Sequence, residues 1–130
     1  MLFERARTAV IGRVPDLPSV SPSVTRAVDF IAAHCTTSAP IGVRVLAEAA
    51  GLSESRFAHR FRHEIGMSPC QFVRRVRVEI ARELLGSGGR RSDVARTLGF
   101  VDGSHLATVF RAETGQRLAE YRRACSLKGG

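Results

Sequence analysis

The sequence contains two copies of one helical pattern, and this internal repeat restricts its fold more than any other feature. The segment LAEAAGL at 46–52 corresponds to VARTLGF at 94–100, and after one extra residue in the second copy 55–66 corresponds to 104–115. Each copy has apolar residues at helical spacing, a glycine, and then a second amphipathic stretch, which is the helix-turn-helix pattern. Because two copies are too few for a solenoid, the sequence predicts two helix-turn-helix units.

The remaining segments also predict helices, so the expected fold class is all-α. Short polar residues that favour helix N-caps stand at the start of most segments: Ser21, Ser53, Ser68, Ser92 and Asp102. The segment after Ser68 runs for about 17 residues and joins the two units as a linker helix. No segment alternates strictly between apolar and polar residues, as a half-buried strand does. We expect two helix-turn-helix subdomains joined by a long linker helix, with about seven helices in all.

The predicted organisation follows from the breaks between these segments. Two prolines and nearby serines indicate a linker before the first helix, and the GSGG run at 86–89 ends the linker helix. The expected parts are a tail and linker at 1–20, the first subdomain at 21–67, the linker helix at 68–85, the second subdomain at 86–125 and a C-terminal tail at 126–130.

Charge and composition favour a polyanionic partner and a reducing compartment. Lysine and arginine number 20 against 12 acidic residues, for a net charge of +8, and 19 of the 20 are arginine, whose planar guanidinium suits phosphate or guanine. The alternative is a solvated arginine-rich surface. Three cysteines without C-x-x-C spacing argue against a disulfide framework or a zinc site. No apolar run reaches membrane-spanning length, and the charged N-terminus does not resemble a signal peptide, so the expected location is the cytoplasm.

Other chemistry finds little support, and we expect neither catalysis nor a cofactor. His59 and His63 are four residues apart on one predicted helix, but no cysteine or carboxylate at suitable spacing completes a metal site. The GSGG run lacks the lysine and the preceding strand of a phosphate-binding loop. The three cysteines, Cys35, Cys70 and Cys125, are expected to be small apolar fillers.

The helix after each turn has an apolar inner side and a small polar outer side. At about 100° per residue, Phe57 and Phe61 lie together facing the core, as do Leu106 and Phe110 in the second copy. The opposite side carries small or polar residues: Ser55, Ala58, His59 and Arg62 in the first copy, and Ser104, Ala107, Thr108 and Arg111 in the second. Such a surface fits a helix in a DNA major groove, and the alternative is an ordinary solvent-exposed side.

Residues 40–123 resemble the DNA-binding domain of AraC/XylS-type transcriptional regulators. The motifs that carry the likeness are LAxxAGLS at 46–53, FxxxFRxxxGxSPxxF at 57–72, the linker segment 77–85, VAxxxGF at 94–100, FRxxxG at 110–115 and YR at 121–122. The resemblance implies two recognition helices that enter major grooves about 34 Å apart, held by a connecting helix about 25 Å long. It also implies that a monomer can bind an asymmetric site.

By position, the resemblance assigns DNA contacts to both recognition helices. The base-contacting positions are Ser55, Ala58, His59, Arg62, Gly103, Ser104, Ala107, Thr108 and Arg111. Phosphate contacts are expected from six other residues: Arg56, Arg60, Ser68, Gln116, Arg117 and Arg122. Among these, Ser68 and the Gln116-Arg117 turn would offer free backbone N–H groups at a helix start.

The second unit departs from the family pattern and should read less sequence than the first. Its outer side has shorter side chains, and Gly103 weakens the first turn of its recognition helix by up to about 1 kcal/mol. We therefore expect it to dock mainly on DNA backbone and shape. Leu118 stands where the family often has proline, which leaves the start of the last helix open.

The expected partner is double-stranded DNA, with RNA polymerase as a second partner because the family usually activates transcription. We expect a bacterial activator that acts as a monomer or weak dimer. Related regulators usually carry an effector-binding or dimerisation domain ahead of this unit, and the roughly 20 residues before the first predicted helix are too few for a ligand pocket. The chain is then a short stand-alone regulator or a fragment of a longer one. Two alternatives are a protein-interaction module and a nonspecific or RNA-binding protein.

Overall fold

Helices dominate the structure, a computed structural model that describes residues 20–36 and 41–128. Within these ranges there are seven helices and no strand: α1 (Pro22–His34), α2 (Val43–Ala50), α3 (Glu54–Ile65), α4 (Pro69–Gly86), α5 (Arg91–Thr97), α6 (Gly103–Thr114) and α7 (Leu118–Lys128). Helices α2 and α3 form the first helix-turn-helix unit, α5 and α6 form the second, and α4 joins them. The predicted all-α fold is confirmed. Apart from Val20, the predicted N-terminal tail lies outside the described residues.

Four of the predicted N-caps begin their helices with a side-chain hydrogen bond. The hydroxyls of Ser21, Ser53 and Ser68 accept from backbone N–H groups three residues later, at 3.5, 3.3 and 3.2 Å. The carboxylate of Asp102 accepts from the His105 N–H at 2.8 Å. Each bond satisfies an N–H that the start of a helix leaves without a partner, which is why short polar residues mark these boundaries in the sequence.

The predicted N-cap at Ser92 is wrong. An N-cap at Ser92 would start the helix at position 93, but α5 begins two residues earlier, at Arg91, and its N-cap residue Arg90 makes no side-chain hydrogen bond to the helix. Ser92 therefore lies within the first turn. The preceding glycine loop ends α4, because the Gly89 N–H donates to the Leu84 carbonyl at 2.9 Å, and α5 starts directly after it without a side-chain cap.

A glycine with left-handed backbone conformation forms the turn of each unit. Gly51 has a φ of +74° and Gly99 a φ of +80°, in a region that glycine adopts without the steric cost of a Cβ. The N–H of the residue after each glycine donates to the carbonyl five residues back, at 3.0 Å in the first unit and 2.9 Å in the second. This bond satisfies a carbonyl at the end of the preceding helix. The two copies of the sequence pattern therefore form the same turn.

The apolar core lies along α4 and includes the inward-facing residues predicted on the recognition helices. Four of these are fully buried: Phe57, Phe61, Leu106 and Phe110. Linker residues from different sides of α4 are also buried, namely Val78, Ala81 and Leu85, whereas Leu84 is half-buried. The reason is that α4 packs against α2, α3, α5, α6 and α7, so more than one side of it is covered. None of the described helices combines the length and hydropathy needed to cross a lipid bilayer.

Helix α1 is attached to its neighbours through helix ends. The Arg26 guanidinium donates to the carbonyl of Ala50, the last residue of α2, at 3.2 Å. From α4, the Arg77 Nε donates to the carbonyl of Cys35, the residue after α1, at 3.1 Å. Because the carbonyls at a helix end carry partial negative charge, arginines stabilise them. Burial raises the pKa of the Cys35 thiol and lowers the pKa of Arg77.

The two other cysteines and the last helix differ from expectation. Cys70 is exposed on the first turn of α4, so its prediction as an apolar filler is wrong, and Cys125 is half-buried. The last helix starts at Leu118, the position where the family often has proline. The Leu118 side chain is 2% exposed, so this helix begins with a buried apolar residue instead. That helix continues to Lys128, into the segment 126–130 that was expected to be a C-terminal tail.

We expect Phe61→Ala to lower the free energy of unfolding by about 3–5 kcal/mol, because it removes a fully buried ring that contacts Phe57 and Phe72. Thermal melting followed by circular dichroism measures this loss. Val101→Ala is the control, since Val101 is 85% exposed and its truncation should leave the midpoint unchanged. A Phe61→Ala protein that melts like the wild type would contradict the assigned core.

Candidate nucleic-acid interface

Helix α3 presents its predicted contact residues away from its buried phenylalanines, with Arg56 and Arg60 on the flank of its outer side. All of them are exposed except Ala58, which is half-buried; the exposed ones are Ser55, Arg56, His59, Arg60 and Arg62. A shallow, open depression where the turn meets α3 is lined by Leu52, Ser55, Arg56, His59 and Arg60. The first unit therefore gathers an imidazole, a hydroxyl and two guanidinium groups around one concave surface.

Helix α6 presents the equivalent surface with fewer long side chains. Ser104, Thr108 and Arg111 are exposed, whereas Gly103 is half-buried. Ala107 is half-buried and packs against the core, so it is less open to solvent than the helical wheel predicts. The Thr108 hydroxyl donates to the Ser104 carbonyl at 3.1 Å, so its hydrogen is already used within the helix. Of these five residues, Arg111 alone carries a long donor side chain.

The residues predicted to bind phosphate near helix starts differ in what they offer. The Ser68 hydroxyl accepts from an N–H of α4 at 3.2 Å, and its own hydrogen can still be donated. The prediction of a free N–H at Gln116 is wrong, because this group donates to the Thr114 hydroxyl at 3.2 Å. Arg117 is exposed and Arg122 half-buried. Arg117 is therefore the exposed donor among these four residues, since Ser68 and Gln116 are half-buried as well.

The structure places two further residues on the surface of the second unit. His105 is exposed, and its Nδ1 accepts from the Val101 N–H at 3.3 Å, so Nε2 is the donor of the neutral ring. Arg91, on α5, is exposed and its side chain lies against Gly103. The repeat carries a signal for His105, which corresponds to Arg56. It carries none for Arg91, because the contact joins two different helices.

A glutamate at the same repeat position fixes the end of each recognition helix. In the first unit, Glu64 Oε1 accepts from the backbone N–H of Ser21 at 2.6 Å. In the second, the Glu113 side chain is 14% exposed and pairs with Arg75 at 3.2 Å and Arg74 at 3.6 Å, both on α4. The first recognition helix is therefore attached to the start of α1, and the second to the linker helix.

Tyr121 attaches α7 to the linker helix beside the second unit. Its hydroxyl donates to the Arg82 carbonyl at 2.8 Å, and its ring centroid lies 5.6 Å from that of Phe110 and 5.7 Å from the Arg82 guanidinium carbon. Burial, together with the neighbouring Cys125 thiol, raises the pKa of Tyr121 to about 12. The hydroxyl therefore stays protonated at neutral pH and remains a donor to the linker helix.

The histidine pair of α3 does not form part of a larger ligand cluster. His59 and His63 are both exposed on the same helix. Across residues 20–36 and 41–128, no group of three or more histidine, cysteine or carboxylate side chains is placed to hold a metal ion. A tight protein zinc site uses three or four such ligands.

The described helices define a tandem helix-turn-helix fold, the architecture of a class of DNA-binding domains. A family profile described as "Helix-turn-helix domain" matches residues 46–124. A putative AraC-like transcription regulator from Streptomyces antibioticus is 32% identical over 122 residues, which cover 93% of this chain and 39% of that protein. The chain belongs to the AraC-type helix-turn-helix family. It spans about 39% of the length of this curated relative.

Two solved structures show the same architecture. The C-terminal domain of AraT, a response regulator from Geobacillus stearothermophilus, is 27% identical with a TM-score of 0.76, covering 82% of this chain and 88% of that one. The DNA-binding domain of AdpA, a global transcriptional factor, was solved in complex with a target DNA. It is 29% identical with a TM-score of 0.75, covering 83% of this chain and 96% of that one. Both likenesses extend over the two helix-turn-helix units.

Glu113→Gln should destabilise the second unit, because it removes the charge that two linker arginines contact. We expect a loss of about 1 kcal/mol in the free energy of unfolding, limited because the Arg74 and Arg75 side chains are 53% and 42% exposed. Denaturant unfolding at low and high salt measures the loss, which salt should reduce. Glu48→Gln is the control, because its ion pair with Arg44 lies within α2. Equal losses in both variants would contradict the attachment role of Glu113.

Proposed function

We propose that this chain is a sequence-specific DNA-binding transcriptional regulator that inserts α3 and α6 into successive major grooves. The observation that carries the proposal is the pair of equivalent helix-turn-helix units with exposed polar outer sides, similar over 83% of the chain to a domain solved with its target DNA. A net charge of +8 supports the same partner, because the DNA backbone is polyanionic.

In this proposal the first unit supplies most of the sequence readout. His59 can donate to or accept from a base edge, and Arg62 can contact guanine or phosphate; we favour phosphate, where most protein–DNA hydrogen bonds go. The other base-contacting positions are Ser55, Ala58, Gly103, Ser104, Ala107, Thr108 and Arg111. Phosphate contacts come from Arg56, Arg60, Ser68, Arg117 and Arg122, and from the side chain of Gln116.

The second unit would bind with less sequence preference. Helix α3 carries three arginines and two histidines, whereas α6 carries one of each, Arg111 and His105. Because Thr108 donates its hydroxyl hydrogen within the helix, few side-chain donors remain for base edges. Backbone contacts and sequence-dependent DNA shape would then carry its share of the recognition.

The linker helix makes binding by a single chain geometrically reasonable. Helix α4 has 18 residues and is therefore about 27 Å long at 1.5 Å per residue. Major grooves on one side of B-DNA recur every 34 Å or so, a distance that α4 and the diameters of the flanking helices can bridge together. We therefore propose that the chain binds as a monomer to an asymmetric site with two blocks about one helical turn apart.

The proposed function also includes a second partner, the direction of regulation and a location in the cell. We propose that the bound protein touches RNA polymerase beside the promoter and activates transcription, and that it acts in the cytoplasm of a bacterium. The relative from Streptomyces antibioticus is described as a transcription regulator, and we expect no catalysis from this chain. Because the chain spans only 39% of that protein, a further domain that senses an effector is compatible with the proposal.

Selection of sites from a random duplex pool, at about 150 mM salt with excess unrelated competitor DNA, tests this function. We expect enrichment of an asymmetric site with a sharp first block and a less defined second block about one turn away. A binder that relies on charge alone would be removed by the competitor and would enrich no sequence. Absence of enrichment by the folded chain would count against the proposal and favour a protein-interaction module.

His59→Ala and Arg56→Ala should affect binding in different ways. His59→Ala should lose about 1–3 kcal/mol of discrimination at one base step, while Arg56→Ala should weaken all sites alike and reduce the salt slope by about one unit. Competition binding to single-base variants of the selected site measures both effects. His63→Ala is the control, because His63 is exposed on the same helix but is not a predicted contact. If His59→Ala leaves the relative affinities unchanged, the proposed orientation of α3 is wrong.

A further inference from the structure

The two units differ at one pair of positions next to the recognition helix. In the first unit these positions hold Val43, a half-buried apolar residue that begins α2, and Glu54, which begins α3. In the second unit the corresponding residues are Arg91, which begins α5, and Gly103, which begins α6. The exchange removes the side chain at the start of the recognition helix and adds a long cationic one on the neighbouring helix.

The Arg91 side chain occupies the space that a side chain at position 103 would need. A Cβ on residue 103 would lie 2.9 Å from Arg91 Cδ, closer than real Cβ atoms approach, and 3.0 Å from Arg91 Cγ. The aliphatic part of Arg91 therefore packs directly on the glycine backbone at the first turn of α6. Arginine commonly covers apolar surface with its stem while its charged end remains in water.

The Arg91 guanidinium is not neutralised by the neighbouring carboxylates. Asp93 pairs with Arg96 at 3.5 Å, and the Asp102 carboxylate accepts from the His105 N–H at 2.8 Å. No carboxylate among the described residues forms an ion pair with Arg91, which is exposed. A positive charge thus lies beside the start of α6, where the helix dipole already favours anions.

We propose that Arg91 is a DNA phosphate contact of the second unit and that Gly103 is present because it leaves room for the Arg91 stem. The inference rests on the proposed function and adds a contact supplied by the first helix of the unit rather than by its recognition helix. It accounts for the glycine at position 103. A side chain there could contact DNA directly, and the glycine gives up that contact so that Arg91 can reach the DNA from α5. A phosphate is the expected acceptor, because phosphate oxygens line the rim of each groove and the planar guanidinium can donate two hydrogen bonds to them.

The test measures Kd on the selected site across a salt series for five variants. Arg91→Ala should bind about tenfold more weakly and reduce the salt slope by about one unit, equally for all base sequences. Arg91→Lys should retain most of the affinity and the slope, because a phosphate also accepts a point charge. Arg96→Ala is the charge-matched control on the same helix, and should change the slope less because Asp93 already pairs with Arg96.

Gly103→Ala and the double variant Arg91→Ala/Gly103→Ala test the packing of Arg91 on the glycine. The added methyl must displace the Arg91 stem, so Gly103→Ala should weaken binding several-fold without lowering the melting temperature, since alanine favours helix more than glycine. In the Arg91→Ala background the same methyl should cost nothing further. A loss that persists there would mean that the methyl itself obstructs DNA, and would overturn the role of Gly103.

The outcomes separate this inference from the proposed function. If the wild type and Arg96→Ala bind the selected site and Arg91→Ala binds equally well, the Arg91 contact is wrong while the function stands. Equal changes of the salt slope in Arg91→Ala and Arg96→Ala would also overturn the Arg91 contact. So would a loss of preference at a single base pair in Arg91→Lys, because that result indicates that Arg91 reads a base rather than a phosphate. If the wild type selects no site, the proposed function fails and this inference fails with it.

Discussion

Both recognition helices are held in place by an aromatic ring that packs against a ring of the helix that follows. Phe61 lies 5.5 Å from Phe72 in the first unit, and Phe110 lies 5.6 Å from Tyr121 at the equivalent place in the second. These rings are buried or half-buried, and each contact joins a recognition helix to the next helix in the chain. Because large buried rings contribute much of the packing energy in a small domain, the exposed side of α3 and α6 is decided by where their rings must go.

Polar contacts then distinguish two units that share this aromatic arrangement. The glutamate near the end of each recognition helix has the same place in the repeat but a different partner: the N–H of Ser21 for Glu64, and Arg74 and Arg75 for Glu113. The first unit is thereby attached to α1 and the second to the linker helix.

Much of the fold could be predicted because its signals are local. N-caps at Ser21, Ser53 and Asp102 act within one helical turn, and the left-handed glycines act within one turn of chain, so each leaves a mark in a short window of sequence. The start of α5 was misplaced because its N-cap residue Arg90 makes no side-chain cap hydrogen bond, so no short polar residue marks this boundary in the sequence. The exposure of Cys70 was missed because cysteine is a frequent core residue and its type alone does not indicate the side of α4 on which it lies.

By itself the sequence determined the two helix-turn-helix units, their inner and outer sides, and the residues available on each outer side, since helical periodicity and caps depend on neighbours three or four residues apart. Only the tertiary structure decided which of those residues remain accessible. In the folded chain the Gln116 N–H donates to the Thr114 hydroxyl, Ala107 packs against the core, and the Arg91 side chain lies against Gly103. The Arg91 contact joins two different helices, Ala107 packs against a core to which all the helices contribute, and the Gln116 bond depends on how the chain turns after α6. Helical periodicity carries no information about such contacts.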